Sequence, residues 1–399
     1  MTKLNVPSIR FNNFTGDYQT VRTEEILNRY LVPVDLKNNE KYRQIGIRSH
    51  GKGIFHKELT TREDIGNKRV FWIKPNLFIL NIVFAWERAV AKTTVREKGL
   101  IASHRFPMYE VDKEKASLDY VLNYFLTQKG QKLLELASPG GAGRNKTLGQ
   151  KEFDRLVLRI PSLNEQVSVE NLILSINNLI EQLQTKHCLL LDYKKGCCQK
   201  FFSQSIRFKS SDGKPYPNWK DKKVGDFMTE SRIKGNSGKY AKKITVKLWG
   251  KGVFAKSDKK QGSENTQYYK RQAGQFLYSK LDFLNCAFGI IPKNLDGFET
   301  TVDLPCFDIA DGINHKFILE YIKQRNFYEK YGDKADGTRK AKRIHSDIFL
   351  SFPVKLPVKK EQDKIASFLE ALDEKISTIA QQIELTQTFK KGLLQQMFV

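Results

Sequence analysis

Leu356-Pro357-Val358-Lys359-Lys360-Glu361-Gln362 leads into Ile365, Leu369, Leu372, Ile376, Ile379 and Ile383 near the end of the chain. These apolar residues alternate spacings of four and three, the seam of a helix that lies along another helix. Such a seam requires a partner. One is found at a constant offset of 196 residues, where Ile160-Pro161-Ser162-Leu163-Asn164-Glu165-Gln166 leads into Val169, Ile173, Ile176, Ile180 and Leu183. The register holds without a gap: Pro161 answers Pro357, Glu165-Gln166 answer Glu361-Gln362, Lys194-Lys195-Gly196 answer Lys390-Lys391-Gly392, and Phe202 answers Phe398. The chain is a tandem repeat of two large parts.

The parts ahead of the helices repeat as well. Ile9-Arg10-Phe11 returns as Ile206-Arg207-Phe208, and the Gly16-x-Tyr18 region returns as Gly213 through Pro217-Asn218-Trp219. His104-Arg105-Phe106-Pro107-Met108-Tyr109-Glu110-Val111, followed by apolar residues at helical spacing from Asp119 to Leu126, is answered by Leu304-Pro305-Cys306-Phe307-Asp308-Ile309 and the helical Phe317-Ile318-Leu319-Glu320-Tyr321-Ile322. Runs such as Val70-Phe71-Trp72-Ile73 are rich in strand formers bounded by turn residues. Residues 348–352, matching 153–158, are expected to form a further short strand. The expected fold is therefore α+β: two similar α/β domains separated by two long antiparallel coiled-coil helices, related by a pseudo-two-fold axis. The expected boundaries are 1–160 and 206–355 for the domains, with 161–205 and 356–399 for the helices. A helix over 361–398 would be roughly 55 Å long at about 1.5 Å per residue.

With 399 residues there is room for two or three domains with cores of their own. Lys and Arg number 68 against 44 Asp and Glu, a net charge of +24. That imbalance costs self-repulsion and points to a polyanion, nucleic acid first, although a solubilising lysine coat or an anionic membrane surface would also account for it. The five cysteines show no C-x-x-C spacing, which argues against a disulfide framework or a zinc site and fits a reducing cytoplasm. The opening residues do not read as a signal peptide, and the most apolar run, residues 77–86, is too short to span a membrane. A soluble cytoplasmic protein is expected.

Between Arg232 and Lys260, nine lysines face a single acid, Asp258, with Tyr240, Trp249, Phe254 and several glycines interleaved. A solvated face would mix signs, so this stretch reads as a polyanion surface. Its candidate contacts are Lys234, Lys239, Lys242, Lys243, Lys259 and Lys260. The basic run Arg339, Lys340, Lys342 and Arg343 follows a turn at the point where the first half has the glycine-rich loop ending in Arg144 and Lys146. Glycines let a backbone approach phosphate closely, though the loop is not a P-loop. In the first half Arg62, Lys68, Arg69 and Arg105 complete the set, with Arg48, Lys52 and Lys57 nearby. No catalytic motif is present: no [DN]-P-P-[FYW], F-x-G-x-G, H-E-x-x-H or G-x-S-x-G. Asp112 and Glu114 near Lys115 are a weak nuclease pattern, and His50 and His56 alone approach ligand spacing.

The P-x-x-x-E-Q openings of both helices, the Tyr193-Lys194-Lys195-Gly196 and Phe389-Lys390-Lys391-Gly392-Leu393-Leu394-Gln395-Gln396 endings and the Tyr216-Pro217-x-Trp219 segment together resemble the specificity subunit of a type I restriction-modification system. The resemblance covers nearly the whole chain. It departs in having Tyr18 where the second half has Trp219, and in the asparagines and Cys197-Cys198 of the first helix. The resemblance implies two target-recognition domains, each reading part of a bipartite site on double-stranded DNA, with the helices setting the spacer and docking two modification (methyltransferase) subunits. Those partners would use S-adenosylmethionine, and restriction subunits would add ATP- and Mg2+-dependent translocation and cleavage, leaving this chain without catalysis or cofactor. A free-standing basic coiled-coil adaptor for RNA or an acidic protein is the alternative.

Overall fold

A computed structural model describes residues 6–140, 146–257, 262–332 and 343–398. The chain divides into two compact units, Met1–Gln184 with Gln381–Val399, and Thr185–Ala380. Both long helices form, Leu163–Phe202 with 40 residues and Lys359–Gln396 with 38. Each is shared between the units. The sequence boundaries keep every helix whole, whereas the compact units cut both midway, because each half buries its apolar face in the unit at its own end. The mixture of helices with short strands is an α+β fold.

In the first unit, Leu27–Tyr30, Met108–Val111, Phe78–Leu80 and Val90–Lys92 form a four-stranded antiparallel sheet in that order. The helix Leu118–Leu126 buries Tyr120, Val121, Tyr124 and Phe125 in the same core. Val169 and Ile173, early in the first long helix, share that core with Met397 and Phe398 at the end of the second. The second unit repeats the plan. Its sheet runs Met228–Ser231, Cys306–Ile309, Phe276–Tyr278, Phe288–Ile290, and His315–Ile322 covers it. Here Cys198 and Phe201, late in the first long helix, meet Ile365, Ala366 and Leu369, early in the second. Within each unit the helix halves are thus paired start to end. Of the seam, Val169, Ile173, Ile176, Ile365, Leu369, Leu372 and Ile379 are buried, and Ile180, Leu183, Ile376 and Ile383 are half-buried.

One sequence expectation fails. Residues 348–352 belong mostly to a helical turn, Ser346–Leu350, and the strand follows at Pro353–Leu356. The first half does the same with Gln150–Asp154 and Val157–Ile160. The turn is needed to bring Phe349 and Phe153 inward, where they stack on Phe276 at 5.5 Å and on Phe78 at 6.3 Å.

The P-x-x-x-E-Q openings fasten three segments at once. Glu165 is 1% exposed and accepts from Arg10 Nε and Nη2, both at 2.7 Å, while Glu361 is 0% exposed and accepts from Arg207 at 3.0 and 2.7 Å. Fork-to-fork pairs of this kind are strong and directional. Arg10 and Arg207 also donate to Gly16 O and Pro217 O, which folds the Ile-Arg-Phe lead-in back on itself. Gln166 donates to Pro161 O at 2.9 Å and accepts from Ser117 N, and Gln362 donates to Pro357 O at 3.0 Å and accepts from Asn314 N. Ser117 and Asn314 are the N-caps of Leu118–Leu126 and His315–Ile322. Each motif therefore ties lead-in, long helix and domain helix together.

The second unit adds an ion network at this junction. Lys194 reaches Asp373 at 2.7 Å and Glu320 at 3.5 Å, Lys316 reaches the same acids at 2.6 and 3.4 Å, and Lys323 meets Glu320 at 3.0 Å. Burial works against ionisation of Glu320 and Asp373, but the surrounding lysines outweigh it and hold both carboxyls below their ordinary range.

Replacing Glu361 with Ala leaves Arg207 partly buried without its anion and should cost about 3 kcal/mol. Hydrogen exchange should then accelerate in residues 206–219 and 359–365 of the second unit, with little change in residues 8–18. The network contributes stability above the unfolded carboxylate range, about pH 4, and loses it as pH falls through the lower folded values. Acid should accordingly loosen residues 315–323, and Asp373→Asn should flatten that dependence in the same exchange measurement.

Candidate nucleic-acid interface

The two units share a hairpin with a recurrent sequence. Arg48-Ser49-His50-Gly51-Lys52-Gly53-Ile54-Phe55 is matched by Lys247-Leu248-Trp249-Gly250-Lys251-Gly252-Val253-Phe254. The first joins Tyr42–Ile47 to Ile54–Thr60, and the second joins Ile244–Lys247 to Gly252–Ala255. Three left-handed residues make each tip. His50, Gly51 and Gly53 have φ of 62°, 66° and 78°, and Trp249, Gly250 and Gly252 have 61°, 65° and 92°. This left-handed backbone is costly for a side chain at the first position and natural for glycine at the others.

The strain is held by the body of each unit. His50 N and Gly51 N donate to Glu87 O and Arg88 O at 2.7 and 3.0 Å, as Trp249 N and Gly250 N donate to Asn285 O and Cys286 O at 2.8 and 2.7 Å. The acceptors end two equivalent 3-10 turns, Ala85–Glu87 and Phe283–Asn285, closed by Arg88 and Cys286 in the left-handed region. Space adds to this at Gly51, where a Cβ would lie 2.6 Å from the Leu126 side chain; at Gly250 the neighbour, 2.4 Å away, is the movable end of Lys323, and the left-handed backbone is the constraint. The tips are thereby pinned, and their outward side chains are presented in fixed positions.

Those side chains are suited to a polyanion. Arg48 lies over the Phe55 ring at 4.9 Å and Lys247 over Phe254 at 4.1 Å, so each cation is oriented at the tip's edge. Lys52 and Lys251 are exposed, as is His50, and Trp249 leaves 62% of its surface in solvent. An indole held open beside lysines offers a stacking or wedge surface as well as charge.

The structure ties some of the expected residues to the segments that hold these tips and leaves others apart. In the first unit Arg69 O accepts from His104 N, Arg105 O accepts from Ile82 N, and Lys146 sits half-buried over Trp86 at 5.4 Å. Residues 82–88 thus carry Arg105 and Lys146 toward the hairpin, with Lys68 and Arg69 exposed beyond. Arg62 is exposed too, donating to Asn38 on a separate short helix, Arg62–Ile65. In the second unit exposed Arg343 precedes Ile344, whose N donates to Lys280 O in the equivalent segment. Lys234 and Lys242 are exposed, and Lys239 pairs with Glu264 at 3.0 Å. Lys243 differs: it is buried, with its ammonium against Tyr268, and is placed as a packing residue. Arg144, Lys259, Lys260, Arg339, Lys340 and Lys342 lie outside the described residues. The hairpin pair itself was missed in the sequence, although the shared Gly-Lys-Gly flanked by a cation and Phe at a constant offset was the signal for it.

Other candidates are structural. Asp112 accepts from Glu114 N at 3.0 Å and pairs with Lys115 at 3.0 Å, capping a turn. His56 bonds Glu97 at 2.7 Å, away from the tip that holds His50. Among the described residues no group of three His, Cys, Asp or Glu is placed to hold a metal, and no helix is long and apolar enough to cross a membrane.

No family model matches the sequence. Solved structures do match over almost the entire chain. The HsdS subunit from Thermoanaerobacter tengcongensis aligns over 96% of both chains with a TM-score of 0.52 and 13% identity. The type I restriction-modification system S subunit from M. genitalium aligns over 99% of both, with a TM-score of 0.53 and 13% identity. A chain from a study of assembly and conformational transition of the type I R-M system aligns over 94% of this chain and 96% of its own, at 0.55 and 12%. Across nearly its full length, the chain has the fold of a type I restriction-modification specificity subunit.

Proposed function

We propose that the chain is the non-catalytic, DNA-reading specificity subunit of a type I restriction-modification complex in the cytoplasm. The observation that carries this reading is the pinned basic hairpin occurring once in each unit of a chain with this fold. Two similar but unequal readers suit a bipartite, asymmetric site on double-stranded DNA. His50 and Trp249 stand at the same tip position with different shapes and polarity, which would make the two half-sites differ. Arg48, Lys52, Lys247 and Lys251, with Arg105, Lys146 and Arg343 behind them, would hold phosphates and set register. The two long helices would fix the unread spacer and dock two modification subunits, which bring S-adenosylmethionine. Restriction subunits would supply the steps that need ATP and Mg2+. The structural relative from a study of complex assembly in the type I R-M system supports the assembly part of this reading.

Mapping methylated adenines genome-wide, with and without this chain, should return a two-part motif that vanishes in its absence. Trp249→Ala should relax or alter one half-site and spare the other. Lys247→Ala with Lys251→Ala should weaken binding across all sequences and lower the salt slope of log K by roughly 2, since about one counterion is released per neutralised phosphate. A motif unchanged by all three substitutions would place the reading surface elsewhere. Inserting one helical turn, four residues, between Leu372 and Ile376, paired with a matching insertion between Ile176 and Ile180, should lengthen the spacer and leave both half-sites intact in the same map.

A further inference from the structure

Lys194 and Lys390 occupy the same position in the two repeats, yet their surroundings differ in charge. Lys194 is neutralised from within by Asp373 and Glu320. In the first unit the positions matching these acids hold Asn177 and Asn123. Asn123 gives its amide to Asp119 O at 2.8 Å, and the Asp119 carboxylate is engaged with Lys92 at 2.5 Å. Lys390 is left half-buried, with no hydrogen bond or ion pair among the described residues. Burial with no acid beside it pushes its ammonium below the ordinary lysine range.

Lys390 lines a cavity of about 530 Å³ with Arg88, Lys391, Asn177 and Gln131, and no acidic residue is among the lining. Arg88 donates one Nη to Leu126 O at 3.1 Å, while its Nε is buried without a partner among the described residues. A half-buried cation and a buried unsatisfied donor facing one space are costly unless an anion completes them. The same helix exposes Leu385 and Phe389, 69% and 58% in solvent and one turn apart, immediately before Lys390. Exposed apolar pairs beside an anion-seeking cavity favour a protein surface over a free ion.

We infer that this cavity receives a carboxylate side chain from a protein partner seated on Leu385 and Phe389, which supplies at the first unit the acid that Asp373 and Glu320 supply internally at the second. This rests on the specificity-subunit reading, under which the partner is a modification subunit. Two copies of one partner then meet unlike ends. The first unit attracts the partner's acid, whereas the second already carries its own, so assembly is ordered, with the first unit filled before the second.

Titrating the full chain with modification subunit and counting bound copies by native mass spectrometry tests this. Wild type should bind two copies with unequal affinity. Lys390→Gln, or Asn177→Asp with Asn123→Glu to rebuild the internal acids, should weaken the tighter site about tenfold. Retention of the second copy shows that these variants are folded. Asp373→Asn should strengthen the weaker site. Unchanged affinities in both first-unit variants would overturn the cavity's role while leaving the assembly reading intact. Inorganic phosphate that raises the melting temperature of wild type but not of Lys390→Gln, with partner binding unaltered, would reassign the cavity to a free anion. Failure of wild type to bind any modification subunit would refute the assembly reading and the partner with it.

Discussion

A buried carboxylate gripping an arginine from its own domain's lead-in segment is the interaction on which the rest of each unit depends. Glu165 and Glu361 are almost wholly removed from water and their partners Arg10 and Arg207 are partly buried, so neither carboxylate tolerates loss of its arginine. Each glutamate sits in the first turn of a long helix, and the neighbouring glutamine ties that turn to the N-cap of the helix that covers the sheet. The direction in which a long helix leaves its domain is therefore set by hydrogen bonds rather than by apolar packing, which is non-directional.

Once that junction is built, the units can vary elsewhere. Their central sheets share strand order, while the second sheets differ: four strands in the first unit, and a three-stranded sheet with a separate hairpin in the second. The hairpin tip survives this change because its backbone is fastened to a 3-10 turn common to both. The two units thus share one tip backbone and carry different side chains on it. The ion network behind it follows the opposite logic, balanced in the second unit and left open around Lys390 in the first.

Much of this was legible beforehand. A gapless repeat of the helix openings, and the seam from Ile365 to Ile383, identified two long helices because a 3.5-residue period admits little else. The resemblance to specificity subunits rested on the same residues. The candidate polyanion contacts were legible only as a class. Lys243 lies in the densest basic stretch yet is buried against Tyr268, since charge density along a sequence carries no information about which way a strand's side chains alternate. Residues 348–352 read as a strand because Ile348, Phe349 and Leu350 are strand formers, and packing of Phe349 onto Phe276 overrode that preference.

The repeat, the helices, the register of one repeat on the other and the net positive charge follow from periodicity and composition, which need no third dimension. Which basic residues stand together, why His50 and Trp249 occupy strained backbone, and that Lys390 lacks the acids beside its counterpart come from the folded chain. Each of these depends on contacts between residues far apart in the chain: a hairpin tip on a distant 3-10 turn, a helix lysine facing two positions of another repeat. Asparagine for aspartate is a small change in a sequence. At a half-buried lysine it becomes an unmet charge.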